Sequence, residues 1–232
     1  RGLYTAGVLD GLMEQGIYAD STVGVSAGAV FGCNYKSRQI GRTLRYNTRF
    51  CKDERYMGLK SWLKTGDVYS KDFAYGEVPW KLDVFDTETY AKSPMKFTVV
   101  CTDLETGKPV YHECSKGDKL DVEWMRASAS IPLAAVPVEL DGKLYLDGGI
   151  TDSIPVNWML RQGYEKNVVI CTRHPGYRKE HNKMMPLIRL KFRDYPEFVR
   201  TMDERHIQYN RMLDKIAYLE KEGRIFVIRP NR

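Results

Sequence analysis

A serine held between two glycines, Gly24-Val25-Ser26-Ala27-Gly28, is the feature that most constrains this chain. The apolar run before Ser26 and the small residues after it predict a strand that turns sharply into a helix. Glycines on both sides remove Cβ collisions from such a turn, so the serine Oγ points outward beside the free N–H groups of the helix N-terminus. The pattern is typical of a nucleophile in acyl transfer, and an ordinary glycine-rich strand–helix turn has the same appearance.

Length and composition bound the architecture. The 232 residues are 43% hydrophobic and 28% charged, which is enough apolar content for one sizeable core under a normal polar surface. We therefore expect a single domain over residues 1–232. No run approaches the roughly 20 consecutive apolar residues of a membrane-spanning helix. The five cysteines have spacings that suggest neither a zinc site nor a disulfide framework, which favours a reducing compartment and a cytoplasmic location.

The formal net charge of +6 allows attraction to polyanions, either anionic membrane surfaces or nucleic acids. The basic segments contain no recognisable nucleic-acid-binding motif, so we expect no nucleic-acid partner. The chain begins at Arg1, already within a helical pattern, and stops just after a strand-like segment. We therefore expect a truncated N-terminus, with truncation at the C-terminus and an upstream targeting signal left open.

Strand and helix patterns alternate along the chain. Strands are predicted over 22–25, 96–101, 110–114 and 167–172, with a hairpin over 136–146 that turns at Asp141-Gly142. Helices are predicted over 27–36, 122–130, 156–162 and 196–222, the last with a stripe of core residues. Residues 56–82 read as irregular. This order predicts an α/β fold.

A second motif, Tyr145-Leu146-Asp147-Gly148-Gly149, places a carboxylate at the end of a predicted strand, before two glycines that permit close backbone approach. A plain Asp-Gly turn has the same composition. Between this motif and Ser26 lies Ala127-Ser128-Ala129-Ser130-Ile131-Pro132. The order of these motifs resembles the patatin-like phospholipases, whose pattern is a Gly-rich oxyanion motif ending in a basic residue and Gly, then G-x-S-x-G, A-S-x-S-x-P, and D-G-G or D-G-A. The resemblance covers residues 1 to about 157.

The resemblance implies a role for each matching residue. Ser26 matches the nucleophile and Asp147 the base of a Ser-Asp dyad. Arg1 and Gly2 match the last two residues of the oxyanion motif, whose preceding glycines are absent from this sequence. The segment that contains Ser130 and Pro132 supports the site in the family.

The resemblance also implies a fold and an activity. The fold is a three-layer α/β/α sandwich with a mostly parallel central sheet. The activity is hydrolysis of phospholipid or lysophospholipid acyl esters through an acyl-serine, without a metal or organic cofactor. Two other functions stay open: a thioesterase or small-ester esterase on the same dyad, and a non-catalytic lipid- or partner-binding module.

A Ser-Asp-His triad is the alternative catalytic arrangement, and it requires a histidine after Asp147. His174 is the best candidate, because it follows the predicted strand 167–172 at the end where α/β sheets place their sites. The family resemblance supplies no histidine.

Residues 56–82 contain aromatic and aliphatic side chains interleaved with lysines. Such a segment could form a lid that contacts an anionic lipid surface, or a structural cover over the sheet.

Overall fold

Helices and strands alternate along residues 2–231, the part of the chain that this computed structural model describes. The helices are α1 (Gly2–Glu14), α2 (Ala27–Lys36), α3 (Arg42–Phe50), α4 (Leu59–Thr65), α5 (Thr87–Lys92), α6 (Lys119–Ser128), α7 (Val156–Arg161), α8 (Met185–Lys191) and α9 (Pro196–Lys221). A π-helix covers Lys71–Leu82, and a 3-10 turn covers Gly148–Ile150. The strands are β1 (Ser21–Val25), β2 (Lys96–Asp103), β3 (Pro109–Glu113), β4 (Val138–Leu140), β5 (Lys143–Asp147), β6 (Val168–Ile170) and β7 (Phe226–Ile228). None of the described helices combines the length and the apolar composition that a membrane crossing requires.

Strand β2 is the centre of the main sheet. Strand β1 pairs with it in parallel up to the Val25–Val100 pair, and β5 pairs with it antiparallel from the Cys101–Asp147 pair onward. Strand β3 pairs with residues 98–102 of β2 and so overlaps both neighbours. Since a strand has two edges, β1 and β5 share the edge opposite β3 and meet end to end. The carboxyl ends of both strands therefore lie side by side.

The main sheet is mixed, which corrects the prediction of a mostly parallel sheet. Its parallel pairing is β1–β2, whereas β2–β3, β2–β5 and β4–β5 are antiparallel. Strands β6 and β7 form a separate parallel pair. Short connections account for the antiparallel β2–β3 and β4–β5 pairs, whereas β2 and β5 are distant in the chain and their antiparallel pairing is a tertiary contact. The β4–β5 turn is the predicted one, and Asp141 and Gly142 both have positive φ, 51° and 72°, as a type I′ hairpin requires.

Strand β5 contributes to two separate hydrophobic clusters. Tyr145 packs in the cluster that contains side chains from α2 and α6. Leu146 packs in the cluster that contains side chains from α8 and α9. Successive side chains of a strand point to opposite faces, so these two clusters lie on opposite faces of β5. The long helix α9 is thus part of the core that surrounds the end of β5.

The element predictions are confirmed where periodicity is strong. The predicted helix over 27–36 coincides with α2, and the predicted helix over 196–222 differs from α9 by one residue at its C-terminal end. Residues 56–82, which were expected to be irregular, contain α4 and the π-helix. The sequence did not predict α5 and α8 either. These helices have six and seven residues, so each gives only a weak periodic signal.

The two glycines of the serine motif have different surroundings, so we expect different effects when each is substituted. A Cβ on Gly24 would lie 2.5 Å from the carbonyl oxygen of Gly28 and 2.8 Å from the Cα of Ala29. Because these are backbone atoms that cannot swing away, we expect Gly24→Ala to lower the free energy of unfolding by roughly 1–3 kcal/mol. Urea denaturation of the purified variant measures this loss.

Gly28→Ala is the matched control. A Cβ on Gly28 would meet no atom within 4 Å outside its own helix, and alanine is favoured over glycine in a helix by up to about 1 kcal/mol. We expect this variant to be as stable as the parent or slightly more so. An equal loss in both variants would contradict the assignment of the close contact to Gly24.

Candidate active site

Ser26 lies at the junction of β1 and α2 and has an unusual backbone conformation. Its φ is 54° and its ψ is −119°, a region that residues with a Cβ rarely occupy. The carbonyl of Ser26 accepts the N–H groups of Ala29 and Val30, at 3.0 and 3.2 Å, which ties the serine to the first turn of the helix. Strain of this kind persists where the surrounding structure enforces it, and it is commonest at functional sites.

The Ser26 hydroxyl contacts Asp147 directly. Ser26 Oγ donates a hydrogen bond to Asp147 Oδ2 at 2.5 Å. Asp147 is the last residue of β5 and is 5% exposed. The contact follows from the sheet, because β1 and β5 end beside each other on one edge of β2. Two residues that are 121 positions apart are thereby brought within hydrogen-bonding distance.

Three hydrogen bonds fix the position of Asp147. The N–H of Gly149 donates to Oδ1 at 2.7 Å, so each carboxylate oxygen has a donor. The N–H of Asp147 donates to the Ser130 carbonyl at 2.9 Å. The Thr102 hydroxyl donates to the Asp147 carbonyl at 2.8 Å. The carboxylate is therefore held in one orientation toward Ser26.

The segment between the two motifs braces both residues. Ser128 Oγ accepts the N–H of Ser26 at 3.0 Å and donates to the carbonyl of Val100 at 2.6 Å. Ser130 Oγ donates to the carbonyl of Arg126 at 2.8 Å, while its own carbonyl holds Asp147. Both serines are buried. Their side chains hydrogen-bond to backbone groups around the site and not to the Ser26 hydroxyl or the Asp147 carboxylate.

Burial raises the pKa of Asp147 above the ordinary value of an aspartate. The Ser26 and Gly149 hydrogen bonds and the charges of Arg205 and Lys179 act in the opposite direction. Burial is the largest effect, since removing a carboxylate from water disfavours its charged form. A carboxylate with a raised pKa is a stronger base for a serine proton.

Arg205 of α9 is a site residue that sequence reasoning missed. Its Nε donates a hydrogen bond to the carbonyl of Gly149 at 2.5 Å. Gly149 in turn donates to Asp147, so α9 helps to position the carboxylate. Nothing in the local pattern pointed to it, because it lies beside a helical stripe interpreted as core packing.

His174 is not brought to Ser26 or Asp147. It is exposed and contacts Tyr177 edge-on, with ring centroids 6.3 Å apart. Within residues 2–231, none of the hydrogen bonds of the serine and the aspartate goes to a histidine. The alternative triad therefore has no geometric support.

The predicted oxyanion residues lie at the chain start. Arg1 is outside the described residues. Gly2 begins α1 and packs against the start of α2: a Cβ there would lie 2.7 Å from the Cβ of Ala27 and 2.6 Å from the ring of Phe31. Gly2 thus packs next to Ala27, the residue that follows Ser26.

A cluster of potential metal ligands lies elsewhere in the core. Atoms of His112, Cys114 and Asp121 lie within 4.8 Å of one another. Asp121 Oδ2 already accepts two backbone N–H groups, from Lys116 and Gly117. Burial raises the pKa of the Cys114 thiol, which keeps it protonated and a poor ligand. We interpret the cluster as a brace for the 116–117 turn.

Comparisons with known proteins identify families and relatives of this chain. A family model described as "Patatin-like phospholipase" matches residues 1–159, and one described as "Domain of unknown function (DUF6363)" matches residues 195–232. The chain is 34% identical over 186 residues to the uncharacterized protein YjjU of Escherichia coli, covering 74% of this chain and 49% of that protein.

Two other relatives are more distant. An uncharacterized NTE family protein of Mycobacterium tuberculosis H37Rv is 27% identical over 67% of this chain and 41% of its own length. Lysophospholipase NTE1 of Saccharomyces cerevisiae is 26% identical over 70% of this chain and 10% of its own length. The chain thus spans half or less of the length of these curated relatives. Because the first family model covers more than half of its 232 residues, the chain belongs to the patatin-like phospholipase family.

Proposed function

We propose that the chain is a serine lipid acyl hydrolase of the phospholipase A or lysophospholipase type, which cleaves carboxylic esters through a Ser26–Asp147 dyad. The observation that carries the proposal is the 2.5 Å hydrogen bond from Ser26 Oγ to Asp147 Oδ2. The positive φ of Ser26 supports it, because strained conformations cluster where a reacting group is displayed. A relative named as a lysophospholipase supports a lipid substrate.

The reaction proceeds in two steps. Ser26 Oγ attacks the ester carbonyl while its proton passes to Asp147 Oδ2, and the tetrahedral intermediate collapses to an acyl-serine as the proton is delivered to the leaving alcohol. A water molecule then attacks the acyl-serine and loses its proton to Asp147, which returns that proton to Ser26 Oγ as the C–Oγ bond breaks and the fatty acid is released. The oxyanion accepts hydrogen bonds from backbone N–H groups at the start of α2 and in the motif that ends at Gly2. Neither step uses a metal or an organic cofactor.

The proposal extends to the architecture. A three-layer α/β/α sandwich and a single domain over residues 1–232 are supported by the two clusters on opposite faces of β5. The segment that matches the second family model includes most of α9, whose Phe198 and Met202 share a cluster with Leu146. A cytoplasmic location is supported by five cysteines that are all free.

Active-site labelling tests the nucleophile before any substrate is known. We expect a fluorophosphonate probe to label protein extended upstream through the whole oxyanion motif. Ser26→Ala should abolish labelling, and Asp147→Asn should reduce it by a factor of roughly 10³ or more, because the base that accepts the serine proton is lost. Gel fluorescence measures the labelled fraction.

His174→Ala is the control, and it should be labelled like the parent. Loss of labelling in this variant would favour the triad. Absence of labelling in the parent would contradict the proposal and favour a non-catalytic lipid- or partner-binding module. Matched ester and thioester substrates then distinguish a lipid esterase from a thioesterase on the same dyad.

The raised pKa of Asp147 predicts a pH-dependent cost to folding. Because the native state binds this proton more tightly than the unfolded state, stability falls as pH rises from the ordinary aspartate value of 3.8 through the raised native pKa. Asp147→Asn carries no charge at any of these pH values. We therefore expect the unfolding free energy of Asp147→Asn, relative to that of the parent, to increase as pH rises from about 4 through the native pKa of Asp147. Urea unfolding of both proteins across this range measures the difference, and a pH-independent difference would contradict it.

Helix α4 is the part of residues 56–82 that we propose to contact an anionic membrane surface. Leu59 and Leu63 are 68% and 71% exposed, with Lys60 and Lys64 beside them, a combination that favours insertion between anionic headgroups. Trp62 Nε1 donates to the carbonyl of Leu133 at 2.9 Å. This bond ties the helix to the segment that follows the Ser128–Ser130 brace.

Vesicle binding tests this surface. We expect Leu63→Asp to weaken binding to phosphatidylglycerol vesicles by roughly 10-fold or more, since it replaces an inserting side chain with a repelled charge. Leu190→Asp on α8 is the matched control, because Leu190 is 68% exposed and lies outside the proposed surface. Co-sedimentation measures both affinities. Equal losses would contradict a specific role for α4.

A further inference from the structure

A cavity lined by residues outside the serine and aspartate motifs borders Arg205, the residue that holds Gly149. It has a volume of about 410 Å³ and lies between residues 177–182 and helix α9. Its wall includes three cationic side chains, Arg178, Lys179 and Arg205, and one carboxylate, Glu180. The wall therefore has an excess of positive charge.

Arg178 and Arg205 differ in whether a carboxylate neutralises their charge. Arg178 forms an ion pair with Asp214 at 2.7 Å. Arg205 forms no ion pair with any residue in 2–231, and its hydrogen bond within that range is the one from Nε to the Gly149 carbonyl. Its Nη groups remain available for an incoming acceptor. Burial lowers the pKa of Arg205, so an anion placed there would relieve the cost of a desolvated charge.

The cavity is preformed. The N–H of Lys179 donates to Asn210 Oδ1 at 2.8 Å, and Asn210 Nδ2 donates back to the Lys179 carbonyl at 3.0 Å. The Lys179 ammonium lies 4.9 Å from the centre of the Tyr209 ring. Both contacts fix the 177–182 segment against α9, so little ordering is needed when a ligand binds.

Gly149 lies between the dyad and the cavity. A Cβ built on Gly149 would lie 2.9 Å from Asp147 Oδ1 and 3.3 Å from Arg205 Nη2. The guanidinium and the catalytic carboxylate thus flank the same glycine without forming an ion pair. In a glycerophospholipid a three-carbon backbone separates the acyl ester from the phosphate. One molecule can therefore place its ester at Ser26 and its phosphate at Arg205.

Resting on the proposed lipid hydrolase, we propose that this cavity binds the phosphate group of the acyl-lipid substrate. Arg205 donates its Nη hydrogen bonds to the phosphate oxygens, as a guanidinium does for planar bidentate recognition. Lys179 supplies the second positive charge. The subsite comes from the C-terminal third of the chain, outside the segment that matches the phospholipase model.

A matched pair of substrates tests the subsite: a monoacylglycerol 3-phosphate and the monoacylglycerol with the same acyl chain, in the same neutral detergent micelles. The readout is the ratio of kcat/KM for the phosphorylated ester to that for the neutral one. We expect Lys179→Gln and Arg205→Gln each to lower this ratio by roughly 10-fold or more, the effect of losing one charge-assisted hydrogen bond. Lys183→Gln, on an exposed lysine that does not line the cavity, should leave it unchanged.

The ratio separates anion binding from positioning. Arg205 also holds Gly149, and Lys179 acts electrostatically on Asp147. The loss of either effect by itself would slow both substrates equally and leave the ratio unchanged. An unchanged ratio in both variants, with both esters still hydrolysed through Ser26, would overturn the subsite and leave the proposed function standing. If neither ester is hydrolysed, the proposed function itself fails.

Inorganic phosphate distinguishes the lipid headgroup from a free ion. We expect it to compete with the phosphorylated ester in the parent and more weakly in Arg205→Gln. If phosphate instead changes hydrolysis of the neutral ester to the same degree, the ligand is a free anion and the headgroup assignment is wrong.

Discussion

The end-to-end meeting of β1 and β5 on one edge of β2 is the constraint on which the site depends. Each strand ends at the residue pair Val100–Cys101 of β2, one arriving in parallel and the other antiparallel. Ser26 and Asp147 occupy the two ends, and their side chains are 2.5 Å apart. A register shift of one residue in either strand would turn the reacting side chain to the other face and separate the pair.

Two features of this arrangement lower the stability of the fold. The Asp147 carboxylate is buried away from water, and Ser26 has a positive φ that residues with a Cβ rarely adopt. Surrounding hydrogen bonds offset these costs: Ser128 holds the serine, and Gly149 and Ser130 hold the aspartate. A base that is both desolvated and fixed can accept a proton without reorganising. The same features that destabilise the fold therefore suit the proposed reaction.

Strong local signals predicted the elements that carry the dyad. The helix over 27–36 and the hairpin at Asp141-Gly142 were predicted because periodicity and turn chemistry act between near neighbours. The mostly parallel sheet was wrong, because strand pairing depends on which distant segments meet. The sequence did not predict the role of Arg205 for a related reason. The apolar periodicity of α9 does not reveal which of its charged side chains hydrogen-bonds to a distant glycine.

The sequence by itself determined the α/β alternation, the serine turn and the family, because these depend on residue types at short fixed spacings. Only the tertiary structure decided that Asp147 rather than His174 contacts Ser26, that Gly24 rather than Gly28 is sterically required, and that α9 reaches the dyad. Those outcomes depend on distances between segments far apart in the chain. Such distances are set when the sheet and its flanking helices bury their apolar faces together.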